Sequence, residues 1–183
     1  MPYDPFKHHR RSIRLPGYDY SSPGAYFITI DTHDRMHIFG KIVNGEMRLN
    51  EWGQIAHDEW LKTPAIRPEI QLDEFVIMPN HMHGIIFITE NGAKTVGARR
   101  RRAPTPVERF GNPIPGSIPT IIRAYKSAVT HRINQIHRTP GAHVWQRNYW
   151  EHIVRNENEL SQIREYIRNN PMQWEMDAEN RSW

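Results

Sequence analysis

Two histidines one residue apart, His81 and His83, open the apolar run His81-Met82-His83-Gly84-Ile85-Ile86-Phe87-Ile88. On a β-strand alternate side chains share a face, so the two imidazoles would lie on one side with Cα atoms roughly 6.5–7 Å apart, close enough to converge on one ion. Met82 would point the other way, and Gly84 would leave space near the pair. The same spacing also suits two ordinary polar residues at a strand end, since a chain with 11 histidines produces such pairs with no ligand at all. The chain has no cysteine. Disulfides, thiolate metal sites and a Cys nucleophile are therefore excluded, and any metal must use N and O donors. Two imidazoles leave a coordination shell incomplete, so a third donor has to come from elsewhere.

The other place for chemistry is near the C-terminus. Tyr166 and Asn170, in Arg164-Glu165-Tyr166-Ile167-Arg168-Asn169-Asn170-Pro171, are four apart and share one face of a helix. Pro171 disfavours helix at the residue before it and would leave the Asn170 amide at the helix end. Read without chemistry, Tyr166 is amphipathic packing and Asn170 a terminal cap. Tyr149, close in sequence to His152, is a rival nucleophile, but it sits in an expected strand with no amide at helical spacing.

These residues need elements to position them. Gly24 to Thr32 alternates and is rich in aromatic and β-branched residues, a strand. Asn44-Gly45 between short apolar segments marks a hairpin over Ile38 to Leu49. Asn50 caps a helix that places Trp52, Ile55, Trp60 and Leu61 on one face until Pro64 stops it. Ile70 to Met78 and His81 to Thr89 are strands separated only by Pro79-Asn80, either a hairpin or one long bent strand. Ser117 to His137 is an amphipathic helix with a Ser cap. Val144 to Arg155 reads as a final strand, and Asn156 to Pro171 as a last helix with acids in its first turn. Strands joined mostly by hairpins, with helices as separate cover, predict an α+β fold: a ferredoxin-like antiparallel sheet with helices packed on its faces.

At 183 residues the chain suits one domain. We expect a basic N-terminal arm over residues 1–23, one domain over 24–170 with a mobile basic loop at 91–116, and a C-terminal tail at 171–183. Neither a signal-peptide core nor an apolar run near 18 residues is present, so a cytoplasmic location without membrane contact is expected. The net charge of +4 is clustered in His8 to Arg11 and in Arg99 to Arg102. Such blocks attract polyanions, nucleic acid first among them, although a solvated loop with no partner has the same composition.

Three blocks taken in order, Met78-Pro79-Asn80-His81-Met82-His83-Gly84, then Trp145 to Leu160, then Arg164 to Pro171, resemble the REP-associated tyrosine transposases. These belong to the single-tyrosine branch of the HUH (His-hydrophobic-His) nucleases, and the resemblance covers about Gly24 to Pro171. It implies an antiparallel sheet with the paired histidines on a central strand, His81 and His83 as metal ligands, and Met82 as the hydrophobic residue between them. It implies Tyr166 as nucleophile and a polar amide one turn later, Asn170, as third ligand, where related transposases use Gln.

The implied reaction is cleavage and transfer of single-stranded, hairpin-forming DNA through a 5′-phosphotyrosine, with a divalent metal, Mg²⁺ or Mn²⁺, at the histidines. Arg10, Arg11, Arg99, Arg100, Arg101, Arg102, Lys126 and Arg132 are the expected phosphate contacts, and Trp145, Tyr149 and Trp150 could stack on bases. Monomeric and dimeric relatives both exist, so a monomer or a homodimer fits. Two other readings compete. A histidine-triad hydrolase would need a further His where Ile85 stands. A non-catalytic nucleic-acid-binding module with a ferredoxin-like sheet would explain the charge and fold without chemistry.

Overall fold

The structure, a computed structural model, describes residues 15, 17–89 and 114–174. Strand β1 is Gly24–Asp31. A two-stranded ribbon follows, β2 (Gly40–Val43) and β3 (Glu46–Leu49). Its turn residues Asn44 and Gly45 both have positive φ, 52° and 74°, the left-handed pair that matches the twist of a two-residue hairpin. Helix α1 is Glu51–Leu61, and the Asn50 side chain caps it by accepting the Gly53 N–H at 2.9 Å. A single turn, α2 (Thr63–Ile66), begins with Pro64 in its first positions, where no N–H is needed. Strands β4 (Ile70–Ile77) and β5 (His81–Ile88) come next. They are followed by α3 (Ile118–His137), β6 (Trp150–Val154) and α4 (Glu157–Gln173).

Strands β4, β5, β1 and β6 form one sheet in that order, every neighbouring pair antiparallel. The connection from β1 to β4 carries α1 and that from β5 to β6 carries α3, which is the ferredoxin-like, α+β arrangement expected. β4 and β5 are a hairpin, not one bent strand. α1 and α3 pack together on one face: the Trp60 and Tyr125 rings meet edge to face at 5.0 Å, and the Tyr125 hydroxyl donates to the Ala56 carbonyl at 3.1 Å.

Alternation decides which residues enter which layer. Tyr26, Ile28 and Ile30 of β1 and Met82, Ile86 and Ile88 of β5 join the main core under α1 and α3. Phe27 and Ile85 face the other way, into a smaller cluster with Leu160 and Ile167 of α4. Thr29, His81 and His83 share the parity of Phe27 and Ile85, so the histidine pair faces α4. Gly84 has the parity of Met82. A Cβ there would come within 2.7 Å of Trp60 Cζ2. Its missing side chain therefore admits Trp60 to the core and makes no room beside the histidines, contrary to expectation.

A β-bulge re-phases β4 between Leu72 and Phe75. Both Leu72 and Phe75 lie against the main core, and the two acids between them turn toward α4. Asp73 accepts from Arg164 Nε at 3.0 and 3.2 Å, and Glu74 pairs with Arg168 at 3.2 Å. An extra residue in one strand is what allows two consecutive acids to meet two arginines one helical turn apart.

Several expectations need correction. α4 does not stop at Pro171; it continues to Gln173, with Trp174 buried at its end. Packing of the Trp174 ring offsets the backbone bond that a proline removes. The tail expected from residue 171 thus begins inside the helix. At the other end Tyr20, assigned to the arm, is buried among Tyr18 and Tyr26. Leu61 is exposed, and Gly53, Ile55, Ala56 and Trp60 form the buried face of α1. The final strand is shorter than Val144 to Arg155, because Trp145 makes only an isolated bridge with Thr32. Most of the basic loop 91–116 lies outside the described residues. Among the described residues no helix is long and apolar enough to cross a membrane.

Candidate active site

The site lies where the central strand β5 faces α4. His81 and His83 are almost fully buried, and their ring centroids are 4.5 Å apart. Each ring is held at Nδ1. His81 Nδ1 lies 2.8 Å from Asn80 Oδ1, an oxygen that can only accept, so His81 donates from Nδ1. His83 Nδ1 lies 2.8 Å from Thr29 Oγ1, on the neighbouring strand β1 where Thr29 pairs with His83. Burial first, and the nearby His81 second, hold the His83 pKa well below its ordinary value, so the ring is neutral. Both rings are held through Nδ1, the arrangement that leaves Nε2 available to a cation.

Helix α4 docks over the pair. The Tyr166 hydroxyl is 3.2 Å from His83 Nε2, and the two ring centroids are 5.1 Å apart. Two turns further on, the Trp174 ring lies 5.9 Å from that of His81. Asn170 is four residues from each, on the stripe between them, and is buried with its Oδ1 shielded from solvent. Tyr166 is 39% exposed, open to a substrate where Asn170 is not. The stripe exists because Leu160, Ile167, Asn170 and Trp174 recur at helical spacing and are buried together. Asn156 starts the helix by accepting the Glu159 N–H at 2.9 Å.

Among the described residues no three His, Asp or Glu side chains form a metal-binding group. Among the described residues the Asn170 amide and the Tyr166 phenol, both on α4, are further oxygen donors on the helix that docks over the pair. Two imidazoles with an amide oxygen make a mixed N/O donor set of a kind that can hold a divalent cation.

Comparison with known proteins bears on what such a site serves. The family model described as "Transposase IS200 like" matches residues 110–170, a span that includes Tyr166 and Asn170. An uncharacterized protein of Haemophilus influenzae is 43% identical over 172 residues, which is 93% of this chain and 92% of that protein. A second Haemophilus influenzae protein, provisionally named as a REP-associated tyrosine transposase, is 26% identical over 84% of this chain and 73% of its own length. The stretch that carries the tyrosine and the amide thus matches the IS200-like transposase family. The fold of the chain is also similar to the solved structure of a REP-associated tyrosine transposase bound to a REP hairpin. That match has a TM-score of 0.53 and 19% identity, covering 90% of this chain and 72% of the other.

The other residues singled out as nucleic-acid contacts fall in different places. Arg10, Arg11, Arg99, Arg100, Arg101 and Arg102 lie outside the described residues. Lys126 is a strut in the fold. Its ammonium donates to the backbone carbonyls of Gln146 and Asn148, and burial lowers its pKa to about 8 against the opposing pull of Asp31. Arg132 pairs with Glu59 at 3.1 Å between α3 and α1, in the helical layer on the far side of the sheet from the histidines. Trp145 is core, packed on Phe39 and Tyr125, and Tyr149 leans on the same core. Trp150 alone of the three aromatics is exposed, on the site's own face. The sequence reading missed Thr29, Asn80 and Trp174. Asn80 was findable as an amide next to a histidine, whereas the other two depend on strand pairing and helix docking.

Proposed function

We propose that this chain cuts and rejoins single-stranded, hairpin-forming DNA in the cytoplasm through a 5′-phosphotyrosine on Tyr166. The observation that carries the reading is the Tyr166 hydroxyl at 3.2 Å from His83 Nε2, with Asn170 on the next turn of the same helix. The similar solved transposase is bound to a REP hairpin, which supports DNA of that form as the partner. A divalent ion, Mg²⁺ or Mn²⁺, held by His81, His83 and Asn170 would supply charge to polarise the scissile phosphate and stabilise the departing oxygen.

The chain's own residues do the rest. Tyr166 Oη attacks phosphorus; the Oη–P bond forms, the P–O3′ bond breaks, and the leaving oxygen takes up a proton as the 3′-hydroxyl. The phenol must lose its proton, since its ordinary pKa is near 10. Thr29 and Asn80 keep both imidazoles oriented through the cycle. The phosphotyrosine retains the energy of the phosphodiester, so a second strand's 3′-hydroxyl can reverse the step without ATP.

A labelled hairpin oligonucleotide with a single-stranded flank, incubated with Mn²⁺, should give a denaturant-stable protein–DNA adduct. The adduct should vanish in Tyr166→Phe and on chelation. Binding that is strong but yields no adduct with Mn²⁺ or Mg²⁺ would instead identify a non-catalytic nucleic-acid-binding module.

A further inference from the structure

Edge strand β6 carries an arrangement that the cleavage chemistry does not use. Trp150 is the cross-strand neighbour of Thr29, and His152 that of Phe27, so both stand on the face that holds the histidines. Their rings are parallel to within 5° with centroids 5.8 Å apart. His152 is fixed from behind: its Nε2 lies 2.6 Å from Glu159 Oε1, while the other oxygen of Glu159 accepts the Arg155 N–H at 2.7 Å. Trp150 also meets Phe27 edge to face at 5.5 Å, and Phe27 in turn meets Tyr166 edge to face at 6.2 Å. One buried ring therefore separates Trp150 from the tyrosine.

Exposure singles out the same place. Among the described residues the large aromatic side chains left exposed are Trp150, at 44%, and Tyr166, at 39%. An indole held flat, backed by a fixed imidazole and open on one side is a poor use of apolar surface unless a planar group covers it.

We propose that the Trp150–His152 pair is a base platform: it stacks one nucleobase of a single strand, a nucleotide or two from the phosphate presented to Tyr166. The occupant is a nucleobase because the ledge adjoins the tyrosine, and this assignment rests on the reading of the site as one for single-stranded DNA. Stacking is tolerant of sequence, since every base has a π face, so the platform sets register along the strand and leaves base identity to be read elsewhere.

The test reads binding, not chemistry, in the Tyr166→Phe background. A fluorescent hairpin oligonucleotide with a single-stranded flank is titrated against that protein and against the same protein carrying Trp150→Ala or Trp150→Phe. Ala should weaken binding roughly ten- to a hundredfold and Phe only a fewfold, the range expected for loss of one base stack. Abasic substitutions walked along the flank should then find one position that weakens binding to the parent and not to Trp150→Ala. Equal affinity of Ala and parent proteins, or equal sensitivity of both at every abasic position, would overturn the platform. Its failure is separable from that of the cleavage reading: unmodified protein that forms the adduct while Trp150→Ala binds normally refutes the platform alone. Conversely, a platform confirmed in a protein that never forms an adduct refutes the cleavage reading alone.

Discussion

The two faces of the one sheet are built to opposite rules. Under α1 and α3 the face is predominantly apolar, closed by Trp60, Tyr125, Ile122 and Val129, with Gly84 cut away so that Trp60 fits, although buried Glu151, the cross-strand neighbour of Ile28, stands on it too. Under α4 the buried apolar cluster is small, Phe27, Ile85, Leu160 and Ile167, and the same layer holds two imidazoles, a phenol and an amide. Polar groups buried at this density cost stability that the other face has to supply. The helix over them adds to that cluster ion pairs at its margin, Arg164 to Asp73 and Arg168 to Glu74, and a hydrogen bond between Glu159 and His152.

That contrast predicts a separation of stability from chemistry. Trp60→Ala should show the largest stability effect, about 3–5 kcal/mol, read as a fall in thermal midpoint at roughly 2–4 °C per kcal/mol. Tyr166→Phe, expected to abolish the adduct, should leave that midpoint nearly unchanged. If Tyr166→Phe unfolded the protein comparably, the division of labour between faces would be wrong. Gly84→Ala comes next, costing about 1–3 kcal/mol because the new methyl must displace Trp60. Its metal and DNA binding, measured below the melting temperature, should stay close to the parent's, since the methyl enters the layer away from the histidines.

The smallest effect belongs to the helix fastening. Burial would by itself raise the Asp73 carboxyl, but hydrogen bonds from Arg164 and the Glu74 N–H hold it below its ordinary value. A carboxyl lowered in the folded state adds stability above its unfolded pKa and loses it as pH falls through the folded one. Asp73→Asn should therefore cost on the order of 1 kcal/mol at pH 7, with the gap between parent and variant closing as acid protonates the carboxyl in the folded state. A gap that did not change at all with acidification would mean the residue acts by shape alone.

Much of this was legible along the chain because it is local. The Asn44-Gly45 turn, the Asn50 and Asn156 caps and the alternation of β1 and β5 each involve neighbours within a few residues. The spacing of His81 and His83, and of Tyr166 and Asn170, already assigned each pair to a common face, and the distant helix does dock against the histidines. What was not legible depends on partners far away in sequence. Pro171 argues for a helix end, and only the pocket that receives Trp174 argues against it. Lys126 and Arg132 looked like free cations because the carbonyls of Gln146 and Asn148 and the acid Glu59, which occupy them, reach them through the fold. Gly84 looked like part of the site because its contact with Trp60 crosses the sheet.

The alternation of β5 has one more implication, for how this sequence can change. Its odd positions, His81, His83 and Ile85, address the α4 layer, and its even positions, Met82, Gly84 and Ile86, address the main core. The strand is thus two interleaved messages read with a frame of two. A point substitution corrupts one message and spares the other, but inserting or deleting a single residue between Asn80 and Gly84 exchanges them, driving imidazoles into the apolar layer and methionine into the site. Length in this stretch is therefore held more tightly than the identity of any one residue in it.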